Sequence, residues 1–141
     1  MDLVDKKVDT DANMKLAADT YKELIAAEKA GIMKSGIPVI IGEVLPETKP
    51  VFEHTAASLT NTQLVYAADQ RKVIDCKYEH HALSLTVANQ KNQEPTKFEL
   101  DLPGMYQLKN LLTVLETAQQ LALKGWNTGT TIIQTALPRV K

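Results

Sequence analysis

Apolar and polar positions along this chain follow two periods, one helical and one extended. From Asn13 to Ala30, the residues Leu16, Ala17, Thr20, Leu24, Ala27 and Ala30 recur at three- and four-residue spacing. That spacing predicts a helix with this stripe turned inward, and Gly31 stands where such a helix would close. The residues ahead of Asn13 are polar and aperiodic, so 1–12 read as a flexible lead-in and 13–141 as a single α/β domain. After Gly36-Ile37-Pro38, the run Val39-Ile40-Ile41 is short and wholly apolar, which suits a strand buried on both faces. Pro46 and Pro50 frame the start of a second helix, placed from Glu47 to Ser58, because proline is at home in a first turn. Leu64-Val65-Tyr66 begins another strand, and Val73 to Tyr78 is a weaker one.

Further along, Leu83, Leu85 and Val87 alternate with Ser84, Thr86 and Ala88, as in a strand with one buried face. Phe98, Leu100 and Leu102 alternate again beyond the polar stretch Asn89 to Pro95, so the two runs read as a β-hairpin. Pro103-Gly104 ends the second run. A third helix is predicted from Met105 to Lys124, with Leu108, Leu111, Leu112, Leu115, Ala118, Leu121 and Ala122 on one broad face. Thr128 is placed to cap a last helix carrying Ile132, Ile133, Ala136 and Leu137 before Pro138. Together these elements predict an α/β fold: a mixed sheet with a β-hairpin packed by about four helices, with at least one parallel strand pair in its helix–strand–helix–strand opening.

Composition narrows the function classes. The 141 residues are 44% apolar and 23% charged, ordinary for a globular domain. The formal net charge is −1 and no long run of one sign occurs, which gives no support to generic nucleic-acid binding. Cys76 is the only cysteine, so no intrachain disulfide can form. The first residues carry no apolar signal-peptide core, and no apolar run approaches the roughly 20 residues that span a bilayer. The expected location is cytoplasmic.

Common catalytic motifs are absent or misplaced. Met33-Lys34-Ser35 has methionine where a phosphate loop needs glycine, and it follows a helix instead of a strand. His80 and His81, if neighbours in a strand, point to opposite faces and cannot both hold one metal. No Gly-x-Ser-x-Gly occurs.

Two segments carry a resemblance. The run from Ala26 to Val39, Ala-Ala-Glu-Lys-Ala-Gly-Ile-Met-Lys-Ser-Gly-Ile-Pro-Val, resembles the EKAGI-x-K-x-G-x-P-V signature of the folylpolyglutamate synthase/dihydrofolate synthase family, a Mur-ligase type. Leu102-Pro103-Gly104-Met105-Tyr106-Gln107-Leu108-Lys109-Asn110 resembles that family's L-x-G-x-H/Y-Q-x-x-N segment, which opens a long helix. The two occur in the family's order, and the resemblance runs from about Glu23 onward. It implies the C-terminal half of the family's central ATPase domain, a partial Mur-ligase central domain.

The family's reaction uses ATP and Mg2+ to add glutamate to folate through an acyl phosphate. By resemblance, Lys29 takes the position of a lysine that is carbamylated by carbon dioxide, which turns a cationic tip into an anionic oxygen pair suited to a hard metal. Asn110 takes the position of an asparagine beside the adenine ring, and Tyr106 that of a histidine or tyrosine packing near the nucleotide. The pattern is incomplete: there is no upstream glycine-rich phosphate loop, Asn13-Met14-Lys15 stands where a metal-binding histidine is usual, and no C-terminal domain follows Lys141. The chain is therefore expected to be an inactive fragment of such a ligase. The alternatives are a non-catalytic module acting through self-association or a protein partner, and weak adenine-nucleotide binding without chemistry.

Overall fold

Between Leu3 and Ala30 the sequence has neither glycine nor proline, and one uninterrupted helix, α1 (Leu3–Ala30), forms over the whole stretch. It thus starts at Leu3 instead of Asn13. Thr10 to Ala18 are exposed, and an exposed stretch of helix leaves no periodic signal to mark where it starts. The computed structural model describes residues 3–92, 94–102 and 104–140, with side chains from Thr10 onward. Gly31 N–H donates to Ala27 O (3.1 Å) and closes the helix. β1 (Val39–Ile41) and α2 (Lys49–Ala57) follow, the latter with Pro50 in its first turn as expected. β2 (Leu64–Tyr66) leads through a single turn, α3 (Ala67–Gln70), that the sequence pattern does not signal. β3 (Arg71–Glu79), β4 (Ala82–Asn89), β5 (Pro95–Leu100), α4 (Gln107–Leu123) and α5 (Thr130–Ala136) complete the order, with a 3-10 turn over Leu137–Arg139.

The strands divide into a parallel pair, β1–β2, and an antiparallel sheet in the order β3-β4-β5. The mixed α/β class and the parallel pair are as expected. The chain forms two compact units, one from the segments up to Val39 and from Val44 to Leu64, the other from Ile40–Glu43 and Val65 onward.

In the first unit α1 packs on α2, and of the predicted stripe only Ala30 is buried. Ala26 and Ala30 are buried, while Leu16 and Leu24 stand 66% and 65% exposed. Small alanines let the second helix approach closely, so the buried side is set by what α2 meets and not by where the large apolar residues lie. Opposite the alanines' end, Lys22 donates to Glu47 Oε1 (2.8 Å) and also faces Asp19 (3.7 Å).

In the second unit the alternation in β4 is realised: Leu83, Leu85 and Val87 are buried and meet Phe98 and Leu100 of β5. Register pairs Leu85 with Phe98 and Leu83 with Leu100. Leu111 and Leu115 of α4 complete this core, with Leu108, Leu112, Ile133 and Leu137 at its margin. Burying a leucine such as Leu85 or Leu111 stabilises by about 1.5–3 kcal/mol, so this cluster is the main anchor of α4 on the sheet. The predicted face ends early: Leu121 and Ala122 are exposed.

Two local expectations are corrected. Thr128 does not cap α5. Gly129 occupies that position, and the Thr128 hydroxyl donates to Ala118 O (2.7 Å), tying the connection back onto α4. His80 and His81 are not strand neighbours. They form the two-residue turn between β3 and β4, with φ of 52° and 64°. A turn of this kind needs positive φ at both central residues, which matches the right-handed twist of the flanking strands.

Candidate functional site

The start of α4 brings together the residues singled out near the second motif. Gly104 has φ of +119°, a backbone conformation open to glycine, and the Tyr106 ring folds over it, so that a Cβ at Gly104 would lie 2.9 Å from Tyr106 Cδ1. The Pro-Gly-Met-Tyr order therefore has a local cause: the glycine both turns the chain into the helix and makes room for the ring. Tyr106 remains 64% exposed. One turn on, Asn110 N–H donates to Tyr106 O (3.3 Å), which stacks the two residues on consecutive turns. Asn110 Nδ2 donates to Gln107 Oε1 (3.0 Å), and Gln107 is buried. That bond fixes the amide and leaves Asn110 Oδ1 as an open acceptor next to an exposed aromatic face. Such a pair can take a planar heterocycle that stacks on the ring and donates a hydrogen to the oxygen.

Two residues that sequence reasoning passed over sit beside this wall. Glu43 accepts an ion pair from Lys109. Gly42 lies against Thr113 so closely that a Cβ there would collide with Thr113 Oγ1. Gly42 follows an apolar strand directly, and this was its only signal in the sequence.

Lys29 lies in the last turn of α1, in the other unit, where its charge suits the helix dipole. It is exposed and makes no hydrogen bond or ion pair to a described residue. A carbamate there would add an oxygen pair, but magnesium needs about six oxygen ligands. Among the described residues no group of three His, Cys, Asp or Glu side chains is gathered for a metal. Two carboxylates of α1 and its neighbouring loop are already engaged: Asp19 with Lys15 (2.8 Å) and Glu47 with Lys22. Met14, in the position where the family has histidine, is exposed and offers a soft sulfur. The residues in hand therefore do not fit a complete magnesium site, and no step is derived through one.

The charged cluster in the first unit is electrostatically coherent. The hydrogen bond from Lys15 holds the Asp19 carboxyl below its ordinary range, and the bond from Lys22 does the same for Glu47. Reciprocally, Asp19 raises Lys15 and Glu47 raises Lys22. Glu47 Oε2 is buried without a hydrogen-bond partner among the described residues.

A parallel strand pair with a crossover helix, followed by an antiparallel sheet carrying a long helix, makes a mixed α/β arrangement. No family model matches the chain, and no curated protein sequence matches it. Among solved structures it is similar to folylpolyglutamate synthetase from Lactobacillus casei, with 29% identity and a TM-score of 0.73 over 84% of this chain and 30% of that one. It is likewise similar to a folylpolyglutamate synthetase–AMPPCP complex (28% identity, TM-score 0.73, 83% and 29% covered). For an AMPPCP–folate complex the figures are 28%, 0.72, 82% and 28%. The chain resembles these synthetases in sequence and in fold, and it spans about 30% of the length of the first of them.

Proposed function

We propose that this chain is part of an ATP-dependent ligase of the folylpolyglutamate synthase type, in which the start of α4 forms the base-side wall of the nucleotide pocket. The observation that carries the reading is the agreement of two motifs with a fold match of TM-score 0.73 over 84% of the chain. In this reading Tyr106 stacks on adenine and Asn110 Oδ1 accepts from its exocyclic amine. Lys29, once carbamylated, offers oxygen to magnesium, with the remaining ligands coming from protein beyond the described residues. Folate and glutamate are the substrates of the whole enzyme, and the cytoplasm is its location. No described helix is long and apolar enough to cross a membrane.

Phosphoryl transfer needs backbone amides and a lysine around the β- and γ-phosphates, and the sequence has no glycine-rich loop of that kind. A polypeptide of these 141 residues, given folate, glutamate, ATP and magnesium, is expected to show neither ATP hydrolysis nor ligation. ATP at millimolar concentration is expected to shift the NMR amide signals of Tyr106 and Asn110, with Asn110→Ala weakening the response by about five- to tenfold. Turnover by a homogeneous sample would sink the first expectation, and unmoved signals at these two residues the second.

A second reading, self-association, is favoured by one feature of α1. Asn13, Met14, Leu16, Ala17, Thr20, Tyr21, Leu24 and Ala27 form a helix face that carries no charged side chain until Glu28, one turn past Leu24. Met14, Leu16, Tyr21 and Leu24 on it are 66%, 66%, 65% and 65% exposed. An uncharged apolar face meets a second copy of itself without like-charge repulsion.

A further inference from the structure

Away from the α4 start, the second unit contains a groove of about 270 Å3 between the open end of the antiparallel sheet and the α4–α5 connection. Its floor is apolar: Val87, Phe98, Leu115 and Ala118, all buried, with Ile133 beside them. The room exists because the helical wall is built from small residues. Ala118 and Ala122 share one face of α4, and a Cβ at Gly129 would meet nothing within 4 Å. At the sheet side lies Arg71, the first residue of β3, whose side chain is only 14% exposed.

Arg71 is held by a buried carboxylate. Its Nη1 donates to Glu116 Oε2 (2.6 Å), and Gln120 Nε2 donates to Glu116 Oε1 (2.8 Å). Glu116 is 4% exposed at its side chain, so both carboxylate oxygens are occupied and the guanidinium is fixed in place. A guanidinium carries five N–H donors, and the Arg71 side chain makes no other hydrogen bond to a described residue. No Arg71 nitrogen is among the buried, unpartnered atoms, and Arg71 lines the groove.

We infer that this groove binds a small monocarboxylate with a flat or short apolar body: the body lies on Phe98, Leu115 and Ala118, and the carboxylate takes the free edge of Arg71. The geometry suits a carboxylate because a guanidinium edge matches its two oxygens. A single negative charge is preferred over a dianion because Glu94 also lines the groove. Thr96, Thr128 and Thr130 also line it. Neither Tyr106 nor Asn110 lines this groove, and the inference does not rest on the ligase reading.

Benzoate is a suitable probe, with benzamide as its uncharged counterpart and phenyl phosphate as the dianion. In an NMR titration of the full chain, benzoate is expected to give saturable shifts at Val87, Ala118 and Ile133 in the millimolar range, as suits so small a ligand. Benzamide and phenyl phosphate are expected to bind at least about tenfold more weakly, since they forfeit the charge-assisted contact or add repulsion. Ala122→Trp, a change at an exposed position that fills the groove, is expected to abolish the shifts while leaving the core signals of Leu85 and Leu111 unchanged. Arg71→Lys, which keeps the charge opposite Glu116 but not the flat fork, is expected to reduce benzoate affinity about five- to tenfold. Absence of saturable shifts, equal binding of benzoate and benzamide, or undiminished binding by Ala122→Trp would each overturn the proposal.

Discussion

At the scale of single residues, the wall at the start of α4 depends on two glycines that do different things. Gly104 supplies a backbone conformation, φ of +119°, that seats the Tyr106 ring, whereas Gly42 supplies only absence of a side chain against Thr113. Gly42→Ala is expected to destabilise the chain by about 1–3 kcal/mol, the usual range for forcing atoms into a filled contact. Thr113→Ala in the same chain should relieve most of that loss, because the clash is with its hydroxyl oxygen. Urea unfolding of the two single variants and the double variant measures the coupling, and additive losses would show that Thr113 already has room to turn away. The residues that carry the functional reading were legible by resemblance: Tyr106, Asn110 and Lys29 came from motif order. Gln107, which locks the Asn110 amide, stood in the same motif without a role assigned to it, and Glu43, which pairs with Lys109, was not legible. Hydrogen-bond partners distant in sequence, such as Glu43 and Lys109, leave no local pattern, and a partner three residues away is visible only once the helix register is known.

At the scale of elements, α1 and the loop ahead of α2 are joined by charge as well as by packing. Asp19 and Glu47 titrate below their ordinary values of 3.8 and 4.5. A carboxylate whose folded pKa is depressed contributes stability above its unfolded value and loses it as pH falls through the folded value. Lys15 and Lys22, raised above 10.5, contribute below that value and lose their share as pH rises through the folded one. The network therefore supports the helix pair across the neutral range and fails first below about pH 4 as acid is added. Helical circular dichroism followed against temperature at pH 7 and pH 3.5 should show a lower midpoint in acid, and Glu47→Gln should narrow that difference. A variant with the same acid sensitivity as the parent would place the titrating groups elsewhere. The helix itself was predicted, but its buried side was largely not: of the predicted stripe Ala30 is inside, joined by Ala26, while Leu16 and Leu24 face out. Periodicity gives the existence of a helix more securely than its orientation, because orientation is settled by the neighbour.

At the scale of the whole molecule, each of the two units keeps a distinct kind of surface. The second has a leucine-rich core that its own strands and α4 close; the first leaves an uncharged helix face uncovered. If a second copy covers that face, light scattering after size-exclusion chromatography should show a concentration-dependent dimer, and Leu16→Glu with Leu24→Glu should return it to monomer. Both changes fall at exposed positions, so they should leave the α1–α2 packing intact. A monomer at high concentration in the parent chain would remove the self-association reading while leaving the ligase reading standing. The β4–β5 hairpin and α4 were legible because each buries one face against the other, which imposes strict periods on Leu83, Leu85, Val87, Phe98, Leu100, Leu111 and Leu115. The single turn of α3 and the His80-His81 turn were not, since neither buries a face of its own and the turn lacks the usual asparagine or glycine.

By itself, then, the sequence determined the α/β class, the order of the main elements, the composition of the second unit's core and the family resemblance. All of these follow from local periodicity, punctuation by proline and glycine, and short motifs. Tertiary structure alone decided which side of α1 is buried, that the parallel pair and the antiparallel strands form separate sheets, and that Arg71, which lines a groove, meets Glu116 across 45 positions. Those outcomes rest on contacts between residues far apart in the chain, whose energies depend on three-dimensional neighbours that no local window contains.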